Sequence, residues 1–114
     1  MISDDIQHIT GLDESEARFS LHGEFDILNK RQLFATLEPY IDSQRLTVDL
    51  ANATFIDAST VGIFAHIARR RREIDATRFR MINVGSHFRR IFSLCALNDV
   101  FDIEAGSLAF AALP

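Results

Sequence analysis

The sequence predicts an α/β fold, a mixed β-sheet of four to five strands with helices mainly on one face. Three observations lead to this prediction. Short apolar segments rich in β-branched residues alternate along the chain with longer segments in which apolar residues recur every three or four positions. Strand-like segments occur near both ends of the chain. With 114 residues, 47% of them hydrophobic, the chain can build one core, so we predict a single domain over residues 1–114.

The first third of the chain is expected to form a strand and a helix. Residues 1–14 show no clean alternation, which predicts an edge strand or a flexible arm. Apolar and polar residues alternate over residues 17–23, which is typical of a half-exposed strand. A helix is expected near residues 29–41, and Pro39 should kink or end it. The predicted buried stripe of this helix comprises Leu33, Phe34, Leu37 and Ile41.

The most informative segment, residues 46–62, combines a buried strand, an acidic loop and the start of a helix. A β-branched apolar strand at residues 46–50 continues through a second extended piece to Asp57. Ser59 or Thr60 is the predicted N-cap of the following helix. The first turn of a helix has free backbone N–H groups and the positive end of the helix dipole. Such a loop suits a phosphate or a carboxylate of a partner.

The second half of the sequence is expected to form two further helices and two strands. The second helix is expected over residues 60–74, with the four successive arginines 69–72 solvated at its end. A strand follows at residues 78–82, with Phe79 facing inward. Ser86 is the predicted cap of a third helix over residues 87–97, whose buried stripe comprises Phe88, Ile91, Phe92 and Cys95. A closing strand near residues 100–103 precedes a C-terminal helical extension over residues 105–114.

Composition restricts the class of function. The net charge of −4 and the sequence pI near 5.5 lack the electrostatic signature of a nucleic-acid binder. The chain begins without a basic region or an apolar run, and no stretch approaches the length of a membrane span. We therefore expect a cytoplasmic protein without direct membrane insertion. Cys95 is the only cysteine, and its apolar neighbours predict a small buried side chain.

The sequence carries no recognisable catalytic or metal-binding motif. A Walker A motif and a GxGxxG motif after a strand are both missing, and the histidines at 8, 22, 66 and 87 are scattered. We therefore predict no cofactor, no metal and no enzymatic activity. A response-regulator receiver would use Asp57 as phosphoryl acceptor, but it needs an adjacent acidic pair after a strand. It also needs a lysine after an inner strand, whereas Lys30 lies in the first predicted helix.

The order of these motifs is similar to that of the STAS family, the anti-sigma factor antagonist domain. The family's hallmark is a strand followed by D-[ST]-[ST]-G-[LVI]-G and a helix, and residues 57–62 here read Asp-Ala-Ser-Thr-Val-Gly. Residues 23–26, Gly-Glu-Phe-Asp, resemble its G-E-[LIF]-D motif, and residues 84–101 resemble its third helix and the turn into the last strand. The resemblance spans roughly residues 15–105. It implies a sheet whose first strand or two run antiparallel and whose other strands are mostly parallel.

The resemblance also implies a partner-binding surface around the acidic loop, with Asp26 next to it. The residues that we predict to bind a partner are Asp26, Asp57, Ala58, Ser59, Thr60, Val61 and Gly62. In antagonists controlled by a serine kinase, the phosphorylated hydroxyl directly follows the aspartate, and Ala58 holds that position here. Ser59 is the candidate phosphorylation site that remains, and Thr60 stands where glycine is usual.

Two functions remain open on this basis. The first is an antagonist that binds an anti-sigma factor/serine-protein kinase and so regulates transcription in a stress response, with other STAS proteins as a further partner class. The alternative is a non-phosphorylated STAS scaffold subunit of a stress-signalling complex or of a membrane transport system, which Ala58 favours. A scaffold needs a second apolar patch, for which residues 101–113 are the candidate. We expect that segment to pack back on the domain, leaving a monomer or weak dimer.

Overall fold

The structure, a computed structural model, describes residues 5–9, 15–74, 76, 79–95, 97 and 102–105. Its strands are β1 (Ile6–Ile9), β2 (Glu16–Phe25), β3 (Arg45–Ile56), β4 (Arg80–Val84) and β5 (Asp102–Ala105). Its helices are α1 (Lys30–Leu37), α2 (Ala58–Glu73) and α3 (Ser86–Leu94), and a 3-10 turn (Glu38–Tyr40) follows α1.

The five strands lie in one sheet in the order β1-β2-β3-β4-β5. β1 is an edge strand that pairs antiparallel with β2, and all the other neighbours pair in parallel. Parallel strands in sequential order need crossover connections, and right-handed crossovers place α1, α2 and α3 on one face with α2 in the middle. The predicted mixed α/β fold is confirmed.

The core lies between this sheet and the helical layer. A row of directly paired residues crosses four strands: Phe19, Val48, Met81 and Ile103. The first three of these are almost completely buried, and Ile103 packs against them at the edge. The helices cover this row with apolar side chains spaced three or four residues apart: Leu33, Leu37, Phe64, Ile67, Phe88 and Phe92. The hydrophobic pattern in the sequence therefore does specify which faces are buried.

The helix boundaries agree with the predictions at the end of α1 and differ from them at both ends of α3. α1 ends at Leu37 and gives way to the 3-10 turn that contains Pro39, as a proline predicts. Ser86 was predicted to cap α3, but it is the first helical residue, and the N-cap is Gly85 without a side-chain hydrogen bond. α3 ends at Leu94, so Cys95 falls on the helix C-cap and is exposed instead of buried.

Arg71 is the largest correction to the sequence-based picture. Its side chain is only 1% exposed, although all four arginines at residues 69–72 were predicted to be solvated. Its guanidinium donates hydrogen bonds to the carbonyl oxygens of Ile41 at 2.6 Å, Ser43 at 2.8 Å and Gln44 at 3.1 Å. Arg71 thus fixes the end of α2 to the connection between α1 and β3. Its neighbours Arg69, Arg70 and Arg72 are exposed, as expected.

Several predicted segments lie outside the described residues. These are residues 1–4 and 10–14 of the predicted N-terminal strand or arm, the start of the closing strand at residues 100–101 and the C-terminal helical extension beyond residue 105. Within the described ranges, no helix is both long enough and apolar enough to cross a membrane.

Candidate partner-binding site

Asp57 stands at the junction of β3 and α2 and organises the candidate site. β3 ends at Ile56, and the backbone N–H of Asp57 donates to the carbonyl oxygen of Phe25 at 3.1 Å, which ties the ends of β2 and β3 together. Asp57 has extended backbone angles and accepts a hydrogen bond at Oδ1 from the backbone N–H of Thr60 at 3.0 Å. Asp57 is therefore the N-cap of α2, and the prediction that Ser59 or Thr60 caps this helix is wrong.

Both carboxylate oxygens of Asp57 are occupied. Oδ1 also accepts the hydroxyl groups of Ser59 at 2.7 Å and Thr60 at 3.2 Å. Oδ2 accepts the backbone N–H of Ile27 at 3.1 Å. Partial burial alone would raise the pKa of Asp57, but the hydrogen bonds from Ser59, Thr60 and Ile27 outweigh it and hold the pKa below its ordinary value of 3.8. The carboxylate links the start of α2 to the loop after β2.

That loop, residues 26–29, is fixed by its own polar side chains. Asp26 accepts the backbone N–H of Leu28 at Oδ1 over 2.9 Å. Asn29 accepts the backbone N–H of Asp26 at 2.9 Å and donates its side-chain amide to the carbonyl oxygen of Glu24 at 2.9 Å. Together with the bond from Ile27 to Asp57, these contacts close the turn and tie it to the start of α2.

The seven predicted site residues divide into surface and interior positions. Ala58 and Gly62 are exposed, and Asp26, Asp57 and Ser59 are half-buried. Thr60 and Val61 are buried, with Val61 in the hydrophobic core, so their side chains support the loop from inside. The structure therefore places five of the seven at the surface, around the first turn of α2.

The sequence analysis did not identify two exposed apolar side chains in the turn at residues 26–29, which lies beside the first turn of α2. Ile27 is 65% exposed and Leu28 is 90% exposed. Phe55, on β3 near the same end of the sheet, is also exposed. The available signal was an apolar pair between two turn-forming residues, Asp26 and Asn29, which form the hydrogen bonds that turn the chain.

One family model matches most of the chain. Residues 9–105 match the family described as Mlab, STAS domain, which covers most of the chain. The chain belongs to the STAS family. None of the curated protein sequences matches it significantly.

Solved STAS structures share the fold at low sequence identity. The anti-sigma factor antagonist from Mycobacterium paratuberculosis is 18% identical with a TM-score of 0.71, and the match covers 98% of this chain and 97% of that one. Unphosphorylated SpoIIAA, an anti-sigma factor antagonist, is 17% identical with a TM-score of 0.71 and 93% coverage of both chains. SpoIIAA is also known in a phosphorylated form, as a Bacillus cell fate determinant.

A more distant match belongs to a different kind of complex. A chain in the complex of the diguanylate cyclase SiaD with its activator SiaC, from Pseudomonas aeruginosa, is 20% identical with a TM-score of 0.50. The match covers 87% of this chain and 98% of that one. These structural matches show that this chain has the architecture of a STAS domain.

The STAS loop holds no evident metal site. Among the residues that the structure describes, no group of three or more His, Cys, Asp or Glu side chains is arranged to hold a metal ion. Both oxygens of Asp57 already accept hydrogen bonds from the protein. The surface around the loop is made of small exposed residues, apolar side chains and backbone groups.

Gly62 should tolerate a methyl group without strain. A Cβ atom built at this position meets no atom within 4 Å. Glycine inside a helix is less favourable than alanine by about 0.5–1 kcal/mol, so Gly62→Ala should raise the free energy of unfolding by that amount. Urea unfolding monitored by circular dichroism measures it. A loss of stability in Gly62→Ala would contradict the open environment at this residue.

Proposed function

We propose that this STAS domain is an anti-sigma factor antagonist-like interaction module in the bacterial cytoplasm. Its partner is an anti-sigma factor of the serine-protein kinase type, bound through the loop at residues 57–62 and the adjoining Asp26, and binding regulates transcription. The proposal is supported by the fold shared with anti-sigma factor antagonists. The single observation that carries it is the accessible first turn of α2.

This first turn lets another protein come close to the backbone. Ala58 and Gly62 are exposed and small, and a Cβ atom built at Gly62 meets no atom within 4 Å. The hydrogen bond between Asp57 and Thr60, and the buried side chain of Thr60, fix the backbone of this turn on its inner side. A rigid, small-residue surface binds with little loss of conformational freedom, and bulky residues would block it.

Ala58 sets how such a module would be controlled. A methyl group cannot accept a phosphoryl group, so we propose that the domain stays competent to bind unless Ser59 is modified. The Ser59 hydroxyl donates to Asp57 at 2.7 Å. A phosphoryl group on Ser59 would place about −1.5 to −2 charges beside that carboxylate and would disrupt docking by repulsion.

Ala58→Arg tests the docking surface. The arginine would project from the first turn of α2 into the partner, so we expect capture of the kinase by the immobilised domain to fall by about tenfold or more. Ser93→Arg is the matched control, because Ser93 is exposed on α3 and lies outside the loop. Equal capture by both variants would refute the surface, and circular dichroism verifies that both are folded.

Ala58 also supports a second candidate, the non-phosphorylated STAS scaffold subunit of a stress-signalling complex or a membrane transport system. A scaffold subunit has no need of a hydroxyl at position 58. The identity of the protein captured by the wild-type domain and lost with Ala58→Arg separates the two. A serine-kinase anti-sigma factor supports the antagonist, whereas transport subunits or a large assembly of STAS proteins support the scaffold.

A further inference from the structure

We propose that this domain self-associates head to tail, with the helical face of one copy resting on the open sheet face of the next copy. The helical face is the exposed surface of α1, α2 and α3, and the open sheet face is the side of the sheet opposite to these helices. The occupant of each face is therefore a second copy of this chain. The inference does not rest on the proposed function, because it uses neither the loop at residues 57–62 nor Asp26.

The helical face is basic, although the whole chain has a net charge of −4. The helices and the 3-10 turn expose two acids, Glu38 and Glu73, and Glu73 already pairs with Arg70 at 4.0 Å. Against these, the three helices expose six arginines. Such an excess of one sign attracts a surface of the opposite sign. The exposed arginines are Arg31, Arg69, Arg70, Arg72, Arg89 and Arg90.

The open sheet face carries the charged side chains of the five strands. Successive side chains of a strand point to opposite sides of the sheet, and the positions next to these charged residues fill or border the core. One polar row, which runs from Arg18 through Thr47 and Arg80 to Asp102, is paired directly across four strands. Acids outnumber cations on this face by five to three. The acids are Glu16, Glu24, Asp49, Asp102 and Glu104, and the cations are Arg18, Arg45 and Arg80.

Two of these acids keep a negative charge that no cation of the domain balances. Glu24 is exposed, Asp49 is half-buried, and neither forms an ion pair with any described residue. Asp49 accepts the backbone N–H of Ala51 at 2.9 Å and the side-chain amide of Asn83 at 3.0 Å, and these neutral donors leave its charge in place. The arginines of the same face already have partners: Arg18 with Glu16, Arg80 with Glu104, and Arg45 with the hydroxyl group of Ser15. The charges of the two faces are therefore complementary.

The open sheet face is also unusual for a sheet of this kind. Three of the four strand pairs are parallel, and parallel sheets are normally covered on both faces. The described helices cover one face only, and Phe55, beside Glu24 on the other face, is 45% exposed. Thr47 is nevertheless only 1% exposed between its neighbours Arg18 and Arg80. The single domain is thus stable without a cover, and we expect a contact between copies that is weak and sensitive to salt.

The contact joins two different surfaces, so it is heterologous and leaves one free face at each end of a pair. Further copies can add at these free faces. Short chains should form whose length grows with protein concentration, whereas an isologous dimer would stop at two copies.

Sedimentation velocity of the full chain at about 20 mM and about 300 mM salt measures this association. At the lower salt, the average mass should rise with protein concentration, and at the higher salt the association constant should fall by about tenfold or more. Glu24→Arg should weaken the association by about fivefold or more. Glu73→Arg is the matched control, because it changes the net charge by the same amount but lies on the helical face. It should not weaken the association.

A mixture of two variants tests the orientation. The double variant Arg69→Glu with Arg90→Glu reverses two charges of the helical face and should by itself associate about fivefold more weakly or less. Mixed in equal amounts with Glu24→Arg, it should form pairs, because its unaltered sheet face meets the unaltered helical face of the other variant. These pairs should stop at two copies. A misfolded variant would not be rescued in this way, and circular dichroism verifies both folds.

Several results would overturn the head-to-tail contact. These are an average mass that stays constant with concentration at low salt, an association that strengthens with salt, equal association of Glu24→Arg and Glu73→Arg, and a mixture that fails to pair. Each of them leaves the proposed function standing, since capture of the kinase through residues 57–62 is measured separately.

Discussion

Replacement of Arg71 by methionine should lower the free energy of unfolding by about 3 kcal/mol. The guanidinium is almost completely buried and satisfies the carbonyl oxygens of Ile41, Ser43 and Gln44. Methionine fills much of the same volume but donates no hydrogen bond, so these oxygens lose their donor in a desolvated place. Each unsatisfied buried polar group costs about 1–3 kcal/mol, and part of that cost is relieved where the group reaches water.

The neighbouring arginines provide matched controls for this measurement. Arg69→Met and Arg72→Met change exposed residues of the same helix and should alter stability by less than about 0.5 kcal/mol. The stability of Arg71→Lys should lie between those of the wild type and Arg71→Met, because an ammonium group cannot span all the carbonyls as the planar guanidinium does. Urea unfolding followed by circular dichroism compares the four variants. Equal midpoints for Arg71→Met and Arg72→Met would refute the structural role.

Arg71 shows why a run of like charges is difficult to interpret from sequence. Four successive arginines look like a solvated helix end, and three of them are exposed. The helical period nevertheless carries the buried stripe from Phe64 through Ile67 to position 71. Burial lowers the pKa of Arg71, while the nearby carboxylate of Asp42 raises it. The group stays charged at neutral pH, so its hydrogen bonds to the carbonyls are charge-assisted.

Periodicity was sufficient to predict the layers of the fold. Alternation in β2 and the spacing of three or four residues in α1 and α2 both report burial directly, so the sheet and its helical cover could be predicted. The ends of the elements were harder to predict, because a shift of one residue at a helix end changes which side chain reaches the core. α3 ends at Leu94, and Cys95 therefore leaves the stripe that Phe88 and Phe92 define.

The sequence predicted the junction between β3 and α2, on which the candidate site lies, but not its internal geometry. Asp57 was identified as a site residue, yet its role as helix cap was assigned to Ser59 or Thr60. Those residues have hydroxyl groups suited to capping, but the side chain of Asp57 accepts the Thr60 N–H, so Asp57 is the N-cap and the helix begins at Ala58. The turn-forming residues Asp26 and Asn29 signalled a turn around Ile27 and Leu28, but an apolar pair in sequence does not show whether a neighbouring element covers it, so their exposure did not follow from that signal.

Asp57→Ala should destabilise the domain by about 1–2 kcal/mol, the range observed for loss of a helix N-cap. The substitution removes the acceptor for the Thr60 N–H and, in addition, the acceptor for the Ile27 N–H. Asp57→Asn separates these effects. Asparagine caps helices about as well as aspartate, but its single carbonyl oxygen cannot replace both carboxylate oxygens. It should therefore keep most of the stability and release the turn at residues 26–29.

Two measurements distinguish the cap from the link to the turn. In Asp57→Asn, the amide of Ile27 should exchange with solvent faster than in the wild type, while the amide of Thr60 stays protected, if the bond from Ile27 to Asp57 holds the turn. Unchanged exchange at Ile27 would show that the turn at residues 26–29 holds its conformation without this bond.

The pH dependence of stability gives an independent check. The pKa of Asp57 is depressed below 3.8 in the folded state by its hydrogen bonds, which outweigh its partial burial. A depressed pKa adds stability that is fully present above the unfolded pKa, about 3.9, and is lost as the pH falls through the folded value. The stability difference between wild type and Asp57→Asn should therefore be constant from pH 7 to about pH 5 and should shrink below about pH 4. A difference that stays constant down to pH 2 would show that the pKa of Asp57 is the same in the folded and unfolded states. The hydrogen bonds to Asp57 would then stabilise the ionised and the protonated carboxyl group equally.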